Sequence, residues 1–216
     1  MDSVNKYTLV REKILDWYKE NNRDFPWRTS KSLYQILITE ILLQKTIALN
    51  VSNIYSDFFT KYKDFNTIYI ADITNIQSDI EGLGLSNKRA KILKDLSKLV
   101  VEDYNGKIPQ DPEVLKKING IADYVSNAFA CFGLNHRTFF IDVNIKRFIQ
   151  RVFKPQETKV KSESVYTELD KLLPKNDFKY VYWAILDFGF KICSKNKPKC
   201  EFCPISDYCL YFLDQS

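Results

Sequence analysis

The sequence predicts an all-α fold, and three observations carry that prediction. Segment after segment repeats its apolar residues at helical spacing, and none sustains a turn-bounded alternation of period two. Glycine and proline are scarce, 6 and 7 in 216 residues, which argues against a turn-rich β architecture. The chain is 45% hydrophobic and 14% aromatic, enough apolar surface for helices to bury against one another.

The elements follow in order. Leu9, Val10, Ile14, Trp17 and Tyr18 predict a helix over Lys6 to Asn21, which Asn21-Asn22 and Pro26 end. A helix from Ser32 carries Leu33, Ile36, Leu37, Ile41 and Leu42, and another spans Leu49 to Tyr62 on Val51, Ile54, Tyr55 and Phe58. Short helical pieces are expected between Thr67 and Ile80. Glu81 to Asn87, with Gly82 and Gly84, reads as a turn before a helix over Lys88 to Tyr104, whose stop is Asn105-Gly106. Pro112 opens a short helix ending near Ile118; Asn119-Gly120 breaks it, and Tyr124 to Phe132 forms its partner. Further helices are expected over Val143–Val152, Val160–Leu172 and Asp177–Ile192. No internal repeat or low-complexity stretch is present.

Composition bounds the function. Charged residues are 27%, and 32 Lys+Arg against 27 Asp+Glu leave a net charge of +5, which permits a nucleic-acid partner without requiring one. No apolar run is long enough to span a bilayer, and the start, Met1-Asp2-Ser3-Val4-Asn5-Lys6, lacks a secretion signal's apolar core. A cytoplasmic protein without membrane contact is expected. Gly82-x-Gly84 follows no strand and lacks the rest of a nucleotide-binding fingerprint. His136, the one histidine, reads as a surface loop residue, and Cys131 as a small core residue.

The other four cysteines form the run Cys193-x6-Cys200-x2-Cys203-x5-Cys209. Four thiolates so close in sequence can wrap one centre, and their crowding into one tail argues against a disulfide framework. Thiolate-only ligation suits zinc or an iron–sulfur cluster, and spacing does not choose between them. Lys195, Lys197 and Lys199 on the first loop would balance a net-negative centre, face a phosphate backbone, or do both.

These residues resemble the endonuclease III branch of the helix–hairpin–helix DNA glycosylases, closest to its archaeal G·T-mismatch thymine glycosylases. The likeness runs from Phe25-Pro26-Trp27-Arg28 to Cys209. It includes Thr39 to Thr46 (TEILLQKT), Gly82 to Ala90 (GLGLSNKRA), the hairpin Ile118 to Tyr124 (INGIADY) and Phe140 to Arg147 (FIDVNIKR). The resemblance implies a six-helix barrel domain with the helix–hairpin–helix motif at 29–134. A discontinuous domain of 1–28 plus 135–216 would then hold a C-terminal [4Fe–4S] loop, with Cys193, Cys200, Cys203 and Cys209 as ligands. DNA is expected in a cleft between the domains.

Asp142 matches the catalytic aspartate, which stabilises positive charge on the sugar or activates water; locally it also reads as a helix N-cap. Glu40 matches the pocket acid, placed in an apolar stretch where a carboxylate must be paired or functional. Tyr124 stands where bifunctional members carry a Schiff-base lysine and the adenine branch usually carries Ser, which implies a monofunctional enzyme. Gln44 corresponds to the residue filling the gap left by a flipped base, Leu85 to a wedge beside it, and Lys146 to a DNA contact. Gly120, Ile121 and Ala122 correspond to the phosphate-binding hairpin. That hairpin departs from the family's Leu-Pro-Gly-Val-Gly pattern: Asn119 replaces Pro and Ala122 replaces Gly. Asp123 stands where a basic residue is common. Ala122 requires a backbone that avoids positive φ, and Asp123 repels phosphate unless it caps the helix.

The expected function is hydrolysis of the N-glycosidic bond of thymine, and of uracil, mispaired with guanine, in base excision repair by a monomer. Alternatives are the same chemistry on a modified cytosine or on adenine opposite 8-oxoguanine, an inactive DNA-binding relative, and a zinc-stapled interaction domain. Seven residues follow Cys209, which leaves no room for the C-terminal domain with which adenine glycosylases recognise 8-oxoguanine.

Overall fold

The structure, a computed structural model, describes residues 3–154, 156 and 161–214. It is helical throughout, with no strand among the described residues. The α-helices are α1 (Ser3–Asn21), α2 (Leu33–Leu42), α3 (Ala48–Lys61), α4 (Phe65–Ile70), α5 (Ile73–Asp79) and α6 (Ser86–Lys98). They continue with α7 (Pro112–Lys116), α8 (Asp123–Phe132), α9 (Val143–Phe153), α10 (Ser162–Leu172), α11 (Phe178–Lys191) and α12 (Leu210–Leu213). The sequence expectation that a helix begins at Val160 falls outside the described residues. No described helix is long and apolar enough to cross a membrane.

The chain forms two compact units, one of residues 24–138 and one of residues 1–23 with 139–216. In the first, α2 packs against α6 and α8, and α6 against α4 and α5. The core gathers Leu37, Ile41, Phe58, Ile68, Leu93, Leu96, Val125 and Phe129, each essentially removed from water. Cap chemistry sets the helix starts. The Ser32 hydroxyl accepts from the Gln35 N–H at 3.3 Å, Asp64 and Thr67 form a reciprocal capping box, and Asp72 and Asp111 cap α5 and α7.

Helix α6 differs from its expected span in two ways. It starts two residues early, directly after Leu85, and it ends in a π-helical turn, Leu99–Asp103. Asn105 and Gly106 then take positive φ (50° and 78°), and the Gly106 N–H closes on Val100 O at 2.8 Å.

In the second unit α11 packs between α1 and α9, and α10 covers α1 and α9. Trp17 meets Phe188 edge-on at 5.2 Å between centroids, and Phe140 stacks on Tyr182 at 4.1 Å. Helix α9 has its buried residues Ile145, Phe148, Ile149 and Val152 on one face, which leaves its N-terminus and its arginines for other work.

The helix–hairpin–helix motif turns on Gly120, whose φ is 105°. A Cβ there would also lie 2.4 Å from Ile92 Cδ1. Gly120→Ala should therefore destabilise the protein by about 2–3 kcal/mol, measured as a lower urea midpoint at unchanged m-value. An unchanged midpoint would show that the hairpin does not need its glycine.

Candidate active site

Glu40 lies on α2 among Ile38, Ile41 and Leu42 and is 3% exposed. Its Oε2 has no hydrogen-bond partner among the described residues. Burial alone pushes its carboxyl up to about 8, so near neutral pH the group is largely protonated. A neutral carboxylic acid in an apolar wall is a hydrogen-bond donor waiting for an acceptor.

Gln44 follows α2 in a tight turn where Lys45 takes φ 52°. Its side-chain amide donates to Gly120 O at 3.0 Å, so the structure brings this residue onto the hairpin. Leu85 takes φ 53° and is 54% exposed, an apolar side chain held in water by a left-handed backbone.

The hairpin residues divide. Ala122, the N-cap of α8, has φ −90° and ψ 178°, so alanine meets the backbone condition its position sets. It supplies no side-chain cap, leaving the first N–H groups of α8 without a local side-chain acceptor there. The Ile121 side chain is buried in the core, and its N–H donates to Ile118 O at 3.0 Å. It holds the hairpin together. Asp123 is not the cap that the sequence reading required to offset its charge. It pairs with Lys116 at 2.7 Å, and Lys116 also holds Glu113 at 2.7 Å, an arrangement that raises the lysine's affinity for its proton. Tyr124 is half-buried and packs against the core of its unit.

Asp142 belongs to the other unit and is the N-cap of α9. Its Oδ1 accepts from the N–H groups of Asn144 (2.9 Å) and Ile145 (2.7 Å), and its Oδ2 accepts from Asn144 Nδ2 at 2.9 Å. Burial raises its pKa, opposed by these three hydrogen bonds and by the nearby charge of Arg147. The capping role that its position predicts is therefore present. Lys146, one turn on, is exposed.

Cys193, Cys200, Cys203 and Cys209 line a single pocket in the same unit as Asp142. Among the described residues no three His, Cys, Asp or Glu side chains converge to hold a single metal ion. The wall of the pocket that the four cysteines share also includes Val152, Phe188 and Ile205. Burial pushes the Cys203 thiol up to about 12 and raises Cys200 and Cys209, and neighbouring cysteines add to each rise. Four thiolates in such a pocket need a cationic centre to neutralise them, which is the chemistry a thiolate-bound metal group provides. Arg151 supports the loop from α9. Its Nη1 donates to Cys193 Sγ (3.3 Å) and Ser194 O (2.7 Å), its Nη2 to Lys195 O (2.9 Å). Arg147 Nε donates to Cys193 O at 2.8 Å. Lys195, Lys197 and Lys199 are exposed, as is His136, whereas Cys131 is fully buried.

Sequence reasoning missed Arg151 and Arg89. Arg147 and Arg151 are four residues apart on one face of a helix, a pairing visible in the sequence. Arg89 sits in register with the apolar stripe Ile92, Leu93 and Leu96, and that position marks it as buried.

Comparison with known proteins bears on these residues together. Residues 38–175 match the family of HhH-GPD superfamily base excision DNA repair proteins. The chain is 35% identical over 214 residues to the thymine/uracil-DNA glycosylase of Methanothermobacter thermautotrophicus, covering 98% of this chain and 97% of that protein. It is 30% identical to the thymine/uracil-DNA glycosylase of Pyrobaculum aerophilum, with 95% and 93% covered. A solved structure of a thermostable thymine-DNA glycosylase superposes with a TM-score of 0.88 at 35% identity, covering 97% of this chain and 98% of that one.

The buried acid has a pH signature. Between the unfolded carboxyl's pKa, about 4.3, and the folded value of about 8, the native state holds a proton that the unfolded chain has released. Glu40 therefore makes stability fall as pH rises through this window, by up to about 1 kcal/mol per unit. Glu40→Gln should remove that slope, leaving the variant more stable than the parent at pH 8 in urea titrations. Identical pH profiles would mean that Glu40 is ionised in the fold.

Proposed function

Because the chain belongs to the HhH-GPD superfamily of base excision DNA repair proteins, we propose that it is a monofunctional DNA glycosylase removing thymine, and uracil, mispaired with guanine. The observation that carries this reading is the buried, unpartnered Glu40 on α2, a neutral acid in an apolar wall. The pyrimidine specificity draws on the full-length likeness to thymine/uracil-DNA glycosylases.

The proposed chemistry uses each group as its surroundings allow. A mispaired base leaves the stack at a cost of a few kcal/mol, less for a wobble pair. Gln44 and Leu85 hold the vacated gap. Glu40 donates a hydrogen bond to the flipped pyrimidine, stabilising the anion that forms as the C1′–N1 bond breaks. Asp142, with hydrogen-bond donors on both oxygens, stabilises the developing charge at C1′ and directs water to it. Water's hydroxide joins C1′, its proton is left for the base, and an abasic site remains. Tyr124 carries no amine, so no imine forms and the strand stays intact.

Duplex DNA is the proposed partner, bound by a monomer. The N–H groups of Gly120, Ala122 and the start of α8 would take a phosphate, and Lys146 with the three loop lysines would add charge along the backbone. Cys193, Cys200, Cys203 and Cys209, which line one pocket, would hold a [4Fe–4S] cluster. When bound, the cluster cross-links the tail that Arg151 supports.

The test is single-turnover cleavage of a labelled duplex with one G·T pair, read with and without alkali. Strand breaks only after alkali are expected, and Asp142→Asn should slow their appearance by about 10²–10³ while duplex affinity stays within a few-fold. Breaks without alkali would overturn the monofunctional reading, and product from adenine opposite 8-oxoguanine alone would overturn the substrate. The cluster has its own readout: the purified protein should be brown, absorbing at about 400 nm, and lose that band in Cys203→Ser. A colourless protein with stoichiometric zinc would replace the cluster with a mononuclear site.

A further inference from the structure

Two turns carry the proposed plug and wedge, and one side chain holds both. Arg89, in the first turn of α6, is essentially fully buried, and no carboxylate partners it among the described residues. Its Nη1 donates to Leu83 O at 2.9 Å and to Gly84 O. Its Nη2 donates to Gln44 O and to the Thr46 hydroxyl, which in turn donates to Leu83 O at 3.0 Å. The guanidinium thus links the turn after α2 to the turn before α6.

Those turns also hold the backbone strain. Five non-glycine residues take positive φ among the described residues: Lys45, Leu85, Asn105, Asn135 and Asp177. Asn and Asp tolerate that conformation, whereas Lys and Leu have no short polar side chain to favour it. Such residues persist where the surroundings over-determine them, and here the surroundings are the acceptors that Arg89 gathers: the Gln44 carbonyl and the Thr46 hydroxyl on either side of Lys45, and the Gly84 carbonyl just before Leu85. The result is Leu85 presented to solvent and Gln44 turned toward the hairpin.

We propose that Arg89 is a positioning residue whose planar fork fixes the Gln44 and Leu85 turns at the spacing that keeps a target base out of the duplex. The inference rests on the glycosylase reading above and deepens it. Lysine cannot substitute, because a single ammonium does not present two arms of fixed geometry to carbonyls on opposite sides. Arg89 touches neither base nor sugar in this role. Its influence passes through Leu85 and Gln44.

The experiment is a double-mutant cycle on single-turnover excision from a G·T duplex, run well below each variant's melting point. Arg89→Lys should be slower by at least about tenfold in the parent background. In a Leu85→Ala background, where there is no wedge left to position, the same change should cost less than about twofold. Thr46→Val, which removes one of the acceptors and leaves the arginine in place, should show the same dependence on Leu85 with a loss of about threefold, and it serves if Arg89→Lys does not fold. Independent, multiplying losses would overturn the proposal and make Arg89 a general structural residue, as would an Arg89→Lys rate equal to the parent's. Absence of product from the parent itself would instead bring down the glycosylase reading, and this assignment with it.

Discussion

Asp187 on α11 exposes none of its side chain, and its carboxylate takes Arg23 twice. Oδ2 accepts from the backbone N–H at 2.8 Å and Oδ1 from the guanidinium Nε at 2.6 Å. A carboxylate so deep is tolerable only if fully partnered, and removing one partner of such a pair costs about 3–5 kcal/mol. Here the pair joins residues 164 apart in sequence, where the chain leaves α1. Arg23 also lies over the Phe190 ring at 4.6 Å, and Lys191 Nζ donates to Asn21 O at 2.7 Å. The end of α1 is thereby fixed to the end of α11. Since α11 packs on α9, this closure sets the seat of the helix that carries Asp142 at its start and Arg147 and Arg151 along its length. Glu168 makes a second closure: it is nearly fully buried, accepts from the Tyr7 hydroxyl, and faces Lys154 and Lys171 at 3.5 and 3.4 Å.

The other unit solves the same problem without an ion pair. Arg89 is buried nearly as completely as Asp187, and backbone carbonyls and a hydroxyl take its Nη1 and Nη2, while its Nε has no partner among the described residues. A carbonyl accepts more weakly than a carboxylate, so the arrangement gives up Coulomb energy. In exchange it fixes backbone. A carboxylate partner would tie Arg89 to one side chain, whereas three carbonyls tie it to two turns. Both units therefore use an arginine as a tie between chain segments, Arg23 reaching the buried Asp187 to close a helix pair and the buried Arg89 shaping loops.

How far this was legible in the sequence depends on the distance over which each feature is determined. Helix α2 could be read because Ser32, its cap, and Leu33, Ile36, Leu37 and Ile41, its stripe, lie within ten residues. The four cysteines that line one pocket were legible as a set because they are close in sequence. Asp142 could be read as a cap from its position alone. The left-handed backbone at Leu85 could not, since leucine is a type that avoids it and the cause, Arg89, acts from the next helix turn. Neither could the Lys116–Asp123 pair, which neutralises the acid at the start of α8 across the hairpin. The hydrogen bond made by the Ile121 N–H was hidden for a related reason. A backbone motif says which N–H groups exist, and only the folded turn says which of them is already used by Ile118.

The two proposed catalytic carboxylates show why environment, not residue type, assigns the roles. Glu40 receives no compensating hydrogen bond at Oε2, so burial acts unopposed and the neutral acid is favoured. Asp142 is also substantially desolvated, but two backbone N–H groups at a helix start and the Asn144 amide all favour the ionised form, as does Arg147. In Glu40 burial acts unopposed toward the neutral donor, whereas in Asp142 hydrogen bonds and Arg147 oppose it, and glycosidic bond hydrolysis uses a donor and an anion. Placing the anion at a helix N-cap also limits its freedom: with Oδ1 taken by two N–H groups, Asp142 cannot rotate away without uncapping α9. The interaction that stabilises the start of α9 would also pre-organise the carboxylate, so the cap reading and the proposed catalytic reading of Asp142 are compatible.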